Sequence, residues 1–220
     1  MRKFLILICL SLCLSLEALC KGKLDIAPSW MQIDVLEFGK TVRKIDTSGA
    51  RVGLDYFLWK NVMAKGTFLA GRGDANFENY VIGLGACFPF KEQFYFTPHA
   101  GYTYMNFRTT FDLPQFQLNH IKQHFTSHGP YVGIDIQWCI TEKFRIGFGY
   151  TYGWSKIKTV IKPLSTIKSS SKGPSYTALI ERDIDSKWSI NVGFGYNLSL
   201  DNKKHGLRGK GFKVGLTRWL

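Results

Sequence analysis

Beyond its first twenty residues the chain lacks any long hydrophobic run. A helix that crosses a bilayer needs ~18 or more consecutive apolar residues, and no segment after residue 20 approaches that length. A bundle of membrane-spanning helices is therefore excluded for the rest of the chain. If this part enters a membrane, it does so as strands.

Cysteine is also scarce once the N-terminus is set aside. Of the five cysteines, Cys9, Cys13 and Cys20 lie in the first twenty residues, which leaves Cys87 and Cys139. These two fall at equivalent ends of predicted strands that have one strand between them, so their separation is about two strand spacings, or ~10 Å. That distance exceeds the usual Cα range of a disulfide. We predict two buried thiols.

The N-terminus has the features of a secretory signal peptide. A basic start precedes the short apolar stretch FLILICLSLCLSL, and Ala18 and Cys20 supply small residues at the cleavage positions. We predict a signal peptide over 1–20 and a single exported domain over 21–220. Lipid attachment at Cys20 is disfavoured because Glu17 stands where a lipobox has an aliphatic residue.

A short polar turn followed by an alternating strand occurs four times. Two of the copies are TEK before FRIGFGYTYGW and SK before WSINVGFGYNLSL. Period-two alternation over about ten residues, reset by a turn, is typical of a closed antiparallel transmembrane β-barrel. We predict ten strands, with eight as the alternative, and an even count that places both ends on the periplasmic side. The predicted strands run over 24–35, 48–59, 62–71, 77–88, 94–107, 129–140, 144–159, 175–182, 188–200 and 209–220.

Short turns are expected on the periplasmic side and longer loops on the outer side. The predicted outer loops are 38–47, 72–76, 108–128, 160–174 and 201–208.

The two faces of the predicted strands differ in the size of their side chains rather than in charge. Phe148 and Tyr150 share one face, whereas Gly147 and Gly149 share the other. A water-facing exterior normally carries many Lys and Glu, and rows of large side chains would overfill a small barrel. We expect the large residues to face lipid and the small ones to face a narrow polar lumen. A soluble barrel with an aromatic core is the alternative.

The last strand, FKVGLTRWL, resembles the terminal strand by which outer-membrane barrels are recognised for insertion, although it ends on Leu220 with its aromatic residue at Trp219. With the alternating strands, it makes residues 24–220 similar to the small outer-membrane β-barrel protein family, which includes porin-like barrels. The resemblance implies the outer membrane of a Gram-negative-type bacterium and contact of the C-terminal strand with the barrel assembly machinery. It also implies an envelope or surface role, for which structure, adhesion and small-solute permeation are the candidates.

Parity along the strands predicts a charged lumen. Four carboxylates and five potential cations share the inward face, so paired networks are expected. The predicted lumen residues are Asp25, Arg51, Asp55, Lys65, His99, Asp135, Arg145, Glu181 and Lys213.

The net charge of +13 is concentrated in the predicted outer loops. Outer-leaflet lipid, including lipopolysaccharide, carries phosphates and carboxylates, which makes it the expected partner of these cations. The alternative is that they only keep the loops soluble. Nucleic acid is disfavoured by the export signal. The predicted contact residues are Lys40, Arg43, Lys44, Lys162, Lys168, Lys172, Lys203, Lys204 and Arg208.

Two motifs in the predicted loops suggest more specific functions, but the sequence supports these functions more weakly. Arg72, Gly73 and Asp74 form the tripeptide of integrin-type adhesion, which would imply a host or surface receptor, but a hairpin turn favours the same residues. His120, His124 and His128 recur every four residues and would share one face of a helix as a zinc site or pH sensor. No carboxylate or Cys accompanies them at ligand spacing, so we expect no bound metal and no cofactor.

Catalysis is the remaining alternative, because some barrels of the family are proteases or lipid-modifying hydrolases with a site at the outer rim. Asp112 lies near His120, and Ser127 adjoins His128, but neither pair belongs to a recognisable motif. Neighbouring residues on a strand point in opposite directions, which separates Ser127 from His128. We therefore predict no enzyme. A soluble periplasmic ligand-binding barrel is a third possibility.

Overall fold

The computed structural model describes residues 22–90, 93–113, 118–162 and 164–220, and the predicted signal peptide lies outside these ranges. The described part folds as eleven β-strands. They are β1 (Gly22–Glu37), β2 (Lys40–Trp59), β3 (Val62–Gly73), β4 (Ala75–Ala86), β5 (Phe88–Phe90), β6 (Phe94–Leu113), β7 (Leu118–Thr141), β8 (Phe144–Lys162), β9 (Ser165–Asp183), β10 (Trp188–Leu200) and β11 (Gly206–Trp219). No helix in the described ranges is long and apolar enough to cross a membrane.

The strands close into an antiparallel barrel. Strand β1 pairs with β11 from Lys23 opposite Trp219 onward, and β4 pairs with β6. The short strand β5 continues the path of β4 beyond Cys87 and pairs with the start of β6. There are thus ten positions around the ring, so the prediction of ten strands is confirmed and the alternative of eight is wrong.

Both described chain ends lie at the same end of this barrel, where Leu220 N donates a hydrogen bond to Gly22 O. We call this the proximal end and the opposite one the distal end. The predicted long distal loops are wrong, because the strands continue almost to the tips of the hairpins. Strands β1 and β2 are joined by Phe38 and Gly39 alone, both with positive φ, and β3 and β4 are joined by Asp74.

The missed strand extensions share a composition. Segment 165–174, which completes β9 at its distal end, reads STIKSSSKGP and has few large apolar residues on either face. The lipid-facing alternation that identified the other strands is therefore absent there. Its pairing is nevertheless regular, from Ile161 opposite Ser165 to Phe144 opposite Arg182.

The large side chains lie on the outside, as predicted. Phe148 is 58% exposed and Phe194 57% exposed. Two residues farther toward the distal end, Tyr150, Tyr176 and Tyr196 stand opposite one another on three neighbouring strands. The glycines of the alternating pattern occupy the inward positions, so the exterior is an apolar and aromatic belt.

The prediction of a polar lumen holds for the proximal half of the interior but not for the distal half. In the distal half, inward side chains form an apolar core that includes Ile33, Ile45, Phe77, Phe107 and Phe125, each at most 9% exposed. These residues belong to five different strands, so the core fills much of the distal interior. Polar side chains occupy the proximal half. The two remaining cysteines, Cys87 and Cys139, are free and half-buried.

Candidate functional site

The proximal lumen contains the first of two candidate sites, a network of ion pairs. Lys65 Nζ on β3 lies 2.6 Å from Asp135 Oδ2 on β7 and 3.9 Å from Asp55 Oδ1 on β2. His99 Nε2 is 3.5 Å from the same Asp135 oxygen. Because β3 and β7 are not neighbours in the barrel, the contact between Lys65 and Asp135 spans the interior.

A second part of the network lies at the seam between the first and last strands. Asp25 Oδ1 on β1 is 2.5 Å from both Arg51 Nη1 on β2 and Lys213 Nζ on β11. Asn191 on β10 donates a hydrogen bond of 2.6 Å to Asp25 Oδ2 and another of 2.9 Å to Thr217. One carboxylate therefore ties four consecutive strands together across the closure of the barrel.

The third part centres on Arg145. Its guanidinium contacts Glu181 Oε1 at 3.0 Å, pairs with Asp183, and lies 4.8 Å above the ring of Trp219. Ser189 donates to Asp183 at 2.7 Å and accepts a hydrogen bond from Trp219 Nε1 at 2.8 Å. The last strand is thus held to β8, β9 and β10 by a charged cluster as well as by its backbone.

All nine predicted lumen residues take part in these contacts. Sequence reasoning did not count several members: two lie one residue beyond a predicted strand, and three are neutral residues at inward positions within predicted strands. The missed members are Lys23, Asp183, Ser189, Asn191 and Thr217. With Lys23 and Asp183 included, the network has five Lys or Arg cations and five carboxylates, so its charge is balanced. Each buried charge has an opposite partner, as burial requires.

The second candidate site is a set of lysines on the outward face of the distal half, which we call the basic strip. Lys158 stands directly opposite Lys168, and Lys122 directly opposite Lys162. The strip consists of the exposed residues Lys122, Lys156, Lys158, Lys162, Lys168 and Lys172 on β7, β8 and β9.

Like charges directly opposite on a sheet are unfavourable unless an anion compensates them. Across the described ranges none of the six lysines forms an ion pair. The strip therefore leaves positive charge available to an external anion.

The other predicted surface cations are placed differently. Arg43 is not a surface contact, because its side chain points inward, donates a hydrogen bond to Thr109 at 3.1 Å and lies 5.3 Å above the Phe111 ring. Arg208 is outward but is paired with buried Asp34 at 2.6 Å. The remaining four are exposed near the distal hairpin tips, at Lys40, Lys44, Lys203 and Lys204. Lys122, which lies in the predicted loop 108–128, was not among the predicted contact residues.

The three histidines lie on strand β7, not on a helix, and they do not converge. His124 Nε2 is 2.7 Å from Asn106 Oδ1, His128 Nδ1 is 2.5 Å from Tyr102 OH, and His120 Nδ1 is 3.8 Å from Asp112 Oδ1. No group of three His, Cys, Asp or Glu side chains in the described residues is arranged to hold a metal. Partial burial, together with the nearby cations Arg108, Lys158 and Lys162, lowers the pKa of His124.

The tripeptide Arg72, Gly73 and Asp74 lies at the distal tip of the hairpin of β3 and β4, where all three residues are exposed. The Asp74 carboxylate accepts a hydrogen bond of 3.1 Å from the backbone N–H of Asp46. The acidic member of the motif is thus partly engaged within the protein. The tripeptide also forms the hairpin turn that its composition favours.

Neither rim pair has the geometry of a nucleophile with its base. Ser127 is 7% exposed and points inward, whereas His128 points outward to Tyr102. The carboxylate of Asp112 accepts a hydrogen bond of 2.6 Å from the backbone N–H of His120, and both side chains are exposed. That contact links the distal ends of β6 and β7, and it does not position a reacting group.

No protein-family model matches the chain, and no curated protein sequence matches it. Among solved structures it is similar to the outer membrane protease OmpT of Escherichia coli, at 12% identity and a TM-score of 0.54 over 91% of this chain and 96% of OmpT. It is also similar to the translocator domain of the autotransporter NalP of Neisseria meningitidis, at 12% identity and a TM-score of 0.49 over 99% and 94% of the two chains.

A third similar structure is the attachment invasion locus protein Ail of Yersinia pestis, at 12% identity and a TM-score of 0.47 over 91% of this chain and 99% of Ail. Only a fold follows from identities this low. The chain has the closed antiparallel barrel fold of the small outer-membrane proteins.

Proposed function

We propose that the chain is a non-catalytic integral protein of the outer membrane of a Gram-negative-type bacterium, with its distal half at the cell surface. Anionic outer-leaflet lipid, including lipopolysaccharide, is its partner. The observation that carries the proposal is the order of features along the outer surface. An apolar belt around Phe148 and Phe194 is followed distally by aromatic residues from the tyrosine row Tyr150, Tyr176 and Tyr196 to Trp154, and the basic strip begins at the level of Trp154.

That order matches the layers of a membrane. Large apolar side chains suit the hydrocarbon region, and aromatic residues with a polar tip suit the interface. Lysines beyond the interface reach the anionic head groups. A soluble periplasmic barrel would leave a belt of exposed large apolar side chains, among them Ile82, Val132, Phe148 and Phe194, in water, and monomeric soluble proteins rarely carry so large an apolar surface.

A structural or adhesive role is favoured over permeation. The distal core, with Phe77, Phe107 and Phe125 at 4–9% exposure, narrows the path that a solute would take. The lumen network at the proximal end adds a second constriction, since Lys65 and Asp135 meet across it at 2.6 Å. Adhesion through Arg72 and Asp74 to a host or surface receptor, and contact of β11 with the barrel assembly machinery, belong to the same proposal.

A rim hydrolase is the second candidate, because OmpT is a protease and shares the fold. In this chain the candidate pair is Asp112 and His120, whose side chains are exposed and 3.8 Å apart. If the protein is not catalytic, the parent and a variant with His120, His124 and His128 all substituted should both show only background turnover of lipid and peptide. Turnover that disappears in the triple variant would favour the hydrolase.

The proposed location is tested by fractionation and gel migration. The protein should sediment with outer membranes, resist extraction by carbonate or salt, and migrate faster on a gel when it is not heated. Release by carbonate or salt alone would contradict it. Planar bilayers containing the purified barrel should show no steady conductance, and regular single-channel openings would favour permeation over a structural role.

A further inference from the structure

A shallow groove runs over strand β9 on the outside of the barrel. Ala178 stands in register between Phe148 on β8 and Phe194 on β10, so one small residue separates two large ones. Ile134 and Ile136 on β7 extend the apolar wall, and the groove has a volume of about 440 Å³. Its shape and apolar lining suit a hydrocarbon chain.

Three tyrosines line the distal end of the groove. Tyr150, Tyr176 and Tyr196 lie side by side immediately distal to Ala178, with ring centroids 5.4 and 6.3 Å apart. Tyrosine at this position places its ring against hydrocarbon and its hydroxyl group toward the polar interface. The groove therefore opens from the apolar belt toward the head-group region.

Along β9, the lysine of the basic strip nearest the groove lies about one membrane leaflet from Ala178, which forms the floor of the groove. Lys172 and Ala178 are on the same strand and the same face, and six residues of strand span ~20 Å. With a strand tilt of ~40°, this corresponds to a height of ~15 Å, about half of a hydrocarbon core of ~30 Å. A lipid whose phosphate contacts Lys172 can therefore reach Ala178 with its acyl chain.

We propose that the groove over Ala178 and the lysines Lys156 and Lys172 form one binding site for a phosphorylated, multi-acyl lipid of the lipid A class. This inference rests on the proposed outer-membrane location. One acyl chain occupies the groove between Phe148 and Phe194. A phosphate is held by Lys172 and Lys156, which are exposed diagonal neighbours on the outward face of β9 and β8.

Two variants separate the two halves of the site. Lys156→Gln with Lys172→Gln removes the charged half, and Ala178→Phe fills the groove without changing charge. Lys143→Gln with Lys187→Gln is the matched control, since it removes the same charge from two exposed proximal turns, between β7 and β8 and between β9 and β10. Each purified barrel is titrated with lipid A in detergent and the bound fraction is counted by native mass spectrometry. Heat-dependent gel migration confirms that each variant is folded.

We expect lipid A affinity to fall at least about tenfold in the double lysine variant and severalfold in Ala178→Phe, and to change less than about twofold in the control. Lipid A without phosphates should bind the parent as weakly as lipid A binds the lysine variant. Equal losses in the control and the lysine variant would overturn the assignment, because net charge alone would then account for binding.

The acyl half is tested with a deacylated phosphosugar of the same head group. It should bind the parent weakly and Ala178→Phe no worse than the parent. If it binds as tightly as intact lipid A, the ligand is a soluble polyanion and the groove has no part. The test is independent of location, since a protein that fails to fractionate with outer membranes fails the proposed function whatever the lipid titration gives.

Discussion

The proximal and distal halves of this barrel have opposite polarity. In the proximal half Phe148 and Phe194 face outward while Asp25, Arg145 and Lys213 fill the interior. In the distal half the interior holds the apolar core and the outside carries the basic strip. The same strands run through both halves, so the inversion comes from the side chains and not from the backbone. It implies that the medium around the barrel changes from hydrocarbon to water along its axis.

The two interiors are stabilised by different interactions. The proximal interior depends on paired charges, which are costly to break because each remaining charge stays buried. The distal interior depends on packing, where the loss of a side chain costs its transfer free energy and the cavity that remains. Substitutions in the two halves therefore test this difference directly.

The largest effect is expected from Asp25→Ala in the proximal half. Asp25 is 8% exposed and pairs with Arg51 and Lys213, so the substitution leaves two cations without their shared partner. The free energy of unfolding should fall by ~3–5 kcal/mol, measured by urea unfolding in lipid vesicles. Glu142→Ala, in an exposed proximal turn, is the control and should change it little. A small effect at Asp25 would mean that the seam depends on backbone pairing alone.

The distal core is compared with the belt by truncating one phenylalanine in each. Phe107 is 4% exposed inside the barrel, whereas Phe148 faces outward. Phe107→Ala should cost ~3–5 kcal/mol, because a cavity adds to the lost transfer free energy. Phe148→Ala should cost ~1.5–3 kcal/mol, because lipid fills the space and the transfer term alone remains. Equal costs in the same unfolding assay would argue against a packed distal core.

The change of medium is tested by placing one arginine in each half. Phe148→Arg puts a charge in the apolar belt and should destabilise folding in vesicles by ~2–4 kcal/mol. Val160→Arg lies on the same face of β8, at the level of the basic strip, and should cost less than ~1 kcal/mol. The ratio of the two values measures how sharply hydrocarbon gives way to water. Similar costs would place both residues in one medium.

Prediction from sequence succeeded where hydrocarbon imposes a pattern. The alternation of Phe148 and Tyr150 with Gly147 and Gly149 predicted the strand, its lipid-facing side and the barrel fold, because lipid favours apolar residues on one side of each strand. It failed in segments such as 165–174, since strands surrounded by water have no such restriction. The lumen members Lys23 and Asp183 were missed because each lies just beyond a predicted strand boundary.

The arrangement of the basic strip was missed for a related reason. Lys162, Lys168 and Lys172 were predicted as lipid contacts in a loop and Lys158 was assigned to a strand, so the direct opposition of Lys158 and Lys168 was not visible without the register of β8 and β9. Arg43 shows the converse, because a residue assigned to a surface loop points into the core. Register and closure are properties of several strands together, and a single sequence read strand by strand does not contain them explicitly.

The smallest effect is a pH dependence confined to the distal half. The pKa of His124 is lowered by partial burial and by Arg108, Lys158 and Lys162. A histidine whose pKa is lower in the folded state binds its proton more readily when unfolded. Its contribution to stability is therefore present above the unfolded pKa of ~6.5 and is lost as pH falls below that value.

Unfolding midpoints measured from pH 8 to pH 5 should thus decline less steeply in His124→Gln than in the parent, while His120→Gln, an exposed control on the same strand, should follow the parent. Raised salt should reduce the difference, because the three cations near His124 act through solvent-screened fields. If His124→Gln and the parent show the same slope, the basic strip does not extend its field to His124. The distal surface would then be less strongly positive than its lysines indicate.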